Sequence, residues 1–148
     1  MKKVLAFFVG LFMSYFSYSQ YVTINDAGFV NWLTSNYPAC MSGNQMDTTC
    51  TDITTAGWVS ISGYTINDLD GLQYFDAMST FICMNNSVSN IPYLPQPNII
   101  QYKVANNNLT SIPNLPSTVI NLDLRQNNLT SIPALPSGLQ EYLGGDNP

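Results

Sequence analysis

The side chains best suited to acid–base work are Asp68 and Asp70, two carboxyls with one residue between them. Paired acids of that kind can serve hydrolysis. Nothing completes such a site: the chain has no histidine to act as a base, no serine in a nucleophile-elbow pattern and no glycine-rich phosphate loop. Asp68 and Asp70 therefore read as solvated turn residues, and the chain reads as a non-enzyme without a cofactor. The cysteines are Cys40, Cys50 and Cys83, too few ligands for a metal site. Cys40 and Cys50 lie close together in a Gly/Asn/Thr-rich segment that needs fastening, which predicts a disulfide. By the chain-entropy argument, closing so short a loop stabilises by roughly 2–3 kcal/mol.

The other polar candidates are placed by a repeat. Met78, Phe81, Cys83, Asn86, Val88, Ile91 and Leu94 are followed 21 positions later by Ile99, Tyr102, Val104, Asn107, Leu109, Ile112 and Leu115. The next copy, 20 positions on, is Val119, Leu122, Leu124, Asn127, Leu129, Ile132 and Leu135, and Leu139, Tyr142 and Asn147 begin another. An apolar skeleton at this period marks a solenoid. Val59, Ile61, Ile66, Leu69 and Leu72 form a weaker copy 22 positions upstream of its successor, with Tyr64 in place of the asparagine. The turn there should be irregular.

Strands are predicted at 58–62, 80–84, 101–105, 121–125 and 141–145. Alternation sends Leu122 and Leu124 inward, and with them Val104 and Cys83, which becomes a buried free thiol. Three columns then face outward: Trp58, Thr80, Gln101, Asn121, Glu141; Ser60, Ile82, Lys103, Asp123, Leu143; and Ser62, Met84, Ala105, Arg125, Gly145. The chemically mixed members, Trp58, Ile82, Met84, Lys103, Asp123, Arg125 and Leu143, are the candidate binding set. Trp58 is the first choice for contact, unless the N-terminal segment covers it. Lys103 beside Asp123 predicts a cross-strand ion pair worth a few tenths of a kcal/mol. Asn86, Asn107, Asn127 and Asn147 come where the chain leaves each strand. An amide both donates and accepts, so these asparagines are expected to satisfy turn backbone of their own and neighbouring copies. A glycan or metal ligand set would not point inward at a constant period.

The backs of the copies read Ile-Pro-x-Leu-Pro at Ile91–Pro95, Ile112–Pro116 and Ile132–Pro136. Paired prolines disfavour a helix and favour an extended path. Gln96, Pro97 and Asn98 fill the gap that Ser117 and Thr118 fill in the next copy, so the extra residue should sit in a turn. The acidic stretch Asp68–Asp76, with Gly71, suits a short helical or 3₁₀ connection instead.

At the N-terminus, Lys2 and Lys3 precede the apolar run Val4–Phe16 and the small residues Ser17 and Ser19. That order predicts a secretory signal peptide over 1–19, with a retained membrane anchor as the alternative. No later stretch could cross a membrane. Beyond it only Lys103 and Arg125 oppose nine acids, a formal charge of −7, which argues against nucleic acid as a partner. Residues 20–55 are expected to cap the repeats of 56–148. They offer a short strand at Tyr21–Ile24, then a helix capped by Asn25 or Asp26, with Phe29, Val30, Trp32 and Leu33 on its apolar face and Asn36, Tyr37 and Pro38 at its end.

The pattern Leu-x-x-Leu-x-Leu-x-x-Asn-x-Leu-x-x-Ile-Pro over Val119–Pro133 resembles the leucine-rich repeat family. The Ile-Pro-x-Leu-Pro element is similar to its short bacterial class, and the block from Asp26 to Cys50 looks like the start of exported flavobacterial members. The resemblance implies an α/β-type solenoid with a parallel sheet on its concave face, a mostly extended convex side and a short helical cap. It further implies a secreted or cell-surface module that binds a protein or glycan, the alternative being a spacer or the first part of a larger surface protein or effector. Neither the ligase domain of effectors nor the sorting domain of surface relatives is present. The last repeat is incomplete at Pro148, so the sequence reads as a fragment or a truncated product, and its open edge could pair with another copy.

Overall fold

The computed structural model describes residues 20–91 and 98–148. The expected signal peptide, and most of the first Ile-Pro-x-Leu-Pro segment with its extra turn residue, lie outside the described residues.

The apolar period builds a parallel sheet of five strands in sequential order. These are β4 (Trp58–Ser60), β5 (Thr80–Ile82), β6 (Gln101–Lys103), β7 (Asn121–Asp123) and β8 (Glu141–Leu143). Register is fixed by the pairs Trp58–Thr80, Thr80–Gln101, Gln101–Asn121 and Asn121–Glu141, so each turn of chain adds one strand. Each strand is only three residues long. Its stability comes from stacking, since Val59, Phe81, Tyr102 and Leu122 form one inward row and Ile61, Cys83, Val104 and Leu124 another, all buried. Phe81 and Tyr102 stack with ring centroids 5.9 Å apart. Hydrogen bonding runs past each strand, as Cys83 N–H to Lys103 C=O and Val104 N–H to Asp123 C=O show. Residues 112–116 and 132–136 cross the back without helix or strand, as their prolines require.

Neighbouring turns are joined by the asparagines. Asn107 accepts from Val88 N–H at 3.0 Å and donates to Cys83 C=O at 2.6 Å, both in the preceding copy, and to its own Val104 C=O at 3.1 Å. Asn127 does the same for Leu109 N–H, Val104 C=O and its own Leu124 C=O, and Asn147 for Leu129 N–H, Leu124 C=O and its own Gly144 C=O. Asn86 accepts two N–H groups of the first copy, Tyr64 and Ile66, and donates to Ile61 C=O. The residue before each asparagine, Asn85, Asn106, Gln126 and Asp146, has φ between 54° and 59°, turning the chain sharply inward. The Tyr64 turn is irregular as expected, with Gly63 and Thr65 both at positive φ.

Before the repeats come β1 (Tyr21–Thr23), α1 (Ala27–Asn36), β2 (Met41–Ser42), β3 (Gln45–Asp47) and α2 (Thr51–Thr54). Asp26 caps α1 by accepting from Phe29 N–H at 2.8 Å, and its other oxygen accepts from Asn67 and Asp68 N–H of the first copy. Phe29, Trp32 and Leu33 are buried in the same cluster as the repeats, and Trp32 packs on Phe75 at 5.9 Å. Gly28 allows this approach, because a Cβ there would collide with the Tyr64 carbonyl. The segment after α1 is more regular than its composition suggests. β2 and β3 pair around a two-residue Gly43–Asn44 turn with Gly43 at φ 62°, and β3 also pairs with β1, making a three-stranded antiparallel sheet. The Cys40–Cys50 disulfide is present, with Cα atoms 5.6 Å apart. Between Gly71 and Phe75 the connection is a 3₁₀ turn, Leu72–Tyr74, in line with the lack of proline there.

Removing a bridging amide in the middle of the stack leaves an N–H and a C=O buried without partners. Asn127→Ala should therefore lower unfolding stability by about 2–4 kcal/mol, and Asn147→Ala, which is half-buried, by about 1 kcal/mol. Urea midpoints of the two variants test this ordering; equal small losses would show that the amides do not hold adjacent turns together.

Candidate functional site

The outward face of the parallel sheet brings the candidate residues onto one surface. Register places Trp58, Ile82, Lys103, Asp123 and Leu143 on successive strands, and Met84 and Arg125 lie two residues beyond Ile82 and Asp123. Trp58 is 62% exposed, so the N-terminal segment does not cover it. Ile82, Met84, Lys103 and Leu143 are half-buried by their neighbours. Some outward positions are closed: Thr80, Ala105 and Asp123 are buried, the aspartate at 3% exposure.

The burial of Asp123 corrects the expected ion pair. Its partner is Arg125, not Lys103: Oδ2 accepts from Nη2 at 2.7 Å, and Oδ1 from Nε at 3.0 Å and from the Arg125 backbone N–H at 3.2 Å. Residues two apart on a strand share a face, and the planar guanidinium can fold back over the carboxylate in a fork that an ammonium on the next strand cannot match. Burial pushes the Asp123 carboxyl up. The hydrogen bonds and charge of Arg125, helped by the charge of Lys103, outweigh that and hold it below the ordinary carboxylate range. The Asp123 hydrogen bond and charge likewise raise the guanidinium. The Lys103 side chain makes no ion pair and no hydrogen bond among the described residues.

The remaining candidates hold structure rather than a ligand. The four asparagines spend their amides on the backbone. Cys83 is buried, and desolvation pushes its thiol up to about 12 despite a weak bond from Asn86, leaving it unreactive at neutral pH. Asp68 and Asp70 are exposed turn residues: Asp68 accepts from the Asp70 N–H and Asp70 from the Gln73 amide. Cys40, Cys50 and Asp52 approach one another, but both sulfurs are spent in the disulfide and cannot ligate a metal. Sequence reasoning missed the Tyr102 hydroxyl. This phenol is fully buried without a hydrogen-bond partner among the described residues, and burial, with Cys83 nearby, raises its pKa. A tyrosine in a column of Val59, Phe81 and Leu122 was the available signal.

The sequence matches no protein-family model and no curated protein. Among solved structures, the fold is similar to one described as "Functional domain of InlJ from Listeria monocytogenes includes a cysteine ladder". The TM-score is 0.61 at 16% identity, over 84% of this chain. The fold is a leucine-rich-repeat-like solenoid. The chain spans about a third of that structure's length, 33%, and at this identity the likeness extends to the fold alone.

Two substitutions probe the electrostatics and packing of this region. The folded pKa of Asp123 lies below the 3.8 of a free carboxyl, so its contribution to stability is complete above that value and disappears as pH falls through the folded one. Asp123→Asn should cost about 1 kcal/mol at pH 7 and progressively less as the pH falls below 3.8, flattening the acid limb of a stability–pH curve. Tyr102→Phe removes an unpaired hydroxyl and should raise stability by about 1 kcal/mol in urea unfolding; a loss of that size would mean the phenol is satisfied in solution.

Proposed function

We propose that the chain is a secreted or cell-surface binding module that recognises a protein through the outward face of its parallel sheet, without catalysis. The observation that carries this reading is a contrast in how polar groups are used. The inward asparagines have their amides bonded to backbone, whereas Gln101, Lys103, Asn121 and Glu141 on the outward columns make no side-chain hydrogen bond among the described residues. Beside them, Trp58 exposes its ring, and Ile82, Met84 and Leu143 add aliphatic surface. Unspent polar groups among rigidly spaced apolar ones suit protein contact, where aromatic anchors dominate the energy. The same face read as concave would wrap a partner, and residues 20–55 would serve as its cap, as in the short bacterial leucine-rich repeat class that the repeats resemble. Export is supported by the basic, apolar and small-residue order of the first 19 residues and by a disulfide.

Selection of a displayed random-peptide library on the immobilised full chain, with a glycan array in parallel, tests the reading. Peptides should be enriched whose binding falls at least tenfold in Trp58→Ala or Met84→Ala, each variant retaining the wild-type melting curve. Retention of glycans alone would replace the protein partner. Enrichment of nothing sensitive to these variants would favour a spacer.

A further inference from the structure

We propose that the segment bound on this face is acidic: it presents a carboxylate to Lys103 and Arg125, with an aliphatic or aromatic side chain beside it for Ile82, Met84 and Trp58. This rests on the face being a binding surface. The argument is one of charge placement. Apart from Lys2 and Lys3, the only cations in the sequence are Lys103 and Arg125; Lys103 ends β6 opposite Asp123, and Arg125 follows two residues beyond Asp123, in the adjacent outward column. Strand spacing and rise put such diagonal neighbours roughly 8 Å apart at Cα, within joint reach of one carboxylate.

Of the nine acids, only Asp123 and Glu141 belong to the outward columns, and Glu141 and Asp146 also act on Arg125 through their charge while its ion pair is with Asp123. Asp123 is already engaged. Both its oxygens are held by Arg125 and it is nearly sealed from solvent, so it cannot also neutralise Lys103 through contact. Arg125 is left 45% exposed at its side chain, with its second terminal nitrogen unbonded among the described residues. The fold thus presents a half-buried lysine, without an ion pair among the described residues, beside a guanidinium already oriented by its own carboxylate. An anion that reaches both gains charge-assisted hydrogen bonds. Beyond Lys3 every other charged side chain is an acid, so Lys103 and Arg125 are the only positions where an acidic segment meets a cation.

Ile82 and Met84 choose between anionic partners. Ile82 ends the strand next to Lys103 and shares its column, Met84 follows two residues beyond in the neighbouring column, and Trp58 lies one strand further. A carboxylate over Lys103 with a large apolar side chain one or two residues away would cover all three. A uronic-acid polymer carries the charge but has little to place on two aliphatic side chains.

The test uses peptides selected on the full chain, synthesised singly and titrated by fluorescence anisotropy against wild-type protein, Lys103→Gln, Lys103→Arg and Trp58→Ala, with an oligouronate as a separate probe. Selected peptides should share Asp or Glu next to an aliphatic or aromatic residue. Replacing that acid by its amide should weaken binding roughly tenfold, Lys103→Gln should do the same, and Lys103→Arg should retain most of the affinity. Peptides that lose affinity in Trp58→Ala but bind Lys103→Gln within twofold of wild type would overturn the acidic partner while leaving the binding face in place. Absence of any peptide sensitive to Trp58→Ala would overturn the face itself. Oligouronate binding that needs Lys103, without peptide binding, would overturn the protein partner.

Discussion

The structure depends on satisfying backbone groups in turns too short to satisfy themselves. Each copy leaves a three-residue strand through a left-handed residue and dives into the core, which strands an N–H and C=O groups away from water. One amide per copy repairs this, serving its own strand end and the turn before it. Buried polar groups cost about twice as much unpaired as they return when paired. The amides therefore act less as an added attraction than as the condition under which aliphatic stacking is possible. Val104, Leu124 and their neighbours supply the driving force, and the asparagines make the geometry that buries them tolerable.

The same bookkeeping separates the two faces of each strand. Inward, among the described residues, hydrophobes fill rows and the amides are bonded to backbone, the Tyr102 hydroxyl being the exception. Outward, one internal commitment stands out, the Asp123–Arg125 fork. It occupies a carboxylate and holds a guanidinium in place, which leaves Lys103 as the outward cation without an ion pair among the described residues. On a chain with so few cations, placement matters more than number.

Most of the architecture is legible in the sequence because a fixed period reports on stacking directly. The register of five strands, the inward rows and the amide positions all follow from counting. The short 3₁₀ turn at Leu72–Tyr74 follows from the absence of proline. The β2–β3 hairpin is not legible from hydrophobic alternation: Met41, Ser42, Gln45 and Met46 are too few, and the sole cue is a Gly-Asn pair at the turn. Nor does alternation say how deeply an outward side chain sits. Asp123 points out of the core yet is covered, because Arg125 folds over it and neighbouring strands crowd it. Choosing the partner of Asp123 required the rotamer of a neighbour, which no periodicity encodes. The Tyr102 hydroxyl was equally hidden, since an inward tyrosine and an inward leucine look alike in a pattern of apolar positions.

The direction of the amide bonds bears on how such a chain can change over generations. Every asparagine reaches back to its predecessor, so duplicating one 20-residue stretch of gene yields a newcomer that at once completes the copy before it and asks the same of the copy after. Length can then drift in whole steps without a redesigned interior. Side chains on the free side answer to no such demand, and selection can rewrite them one codon at a time, which separates the history of the scaffold from that of whatever it has come to recognise.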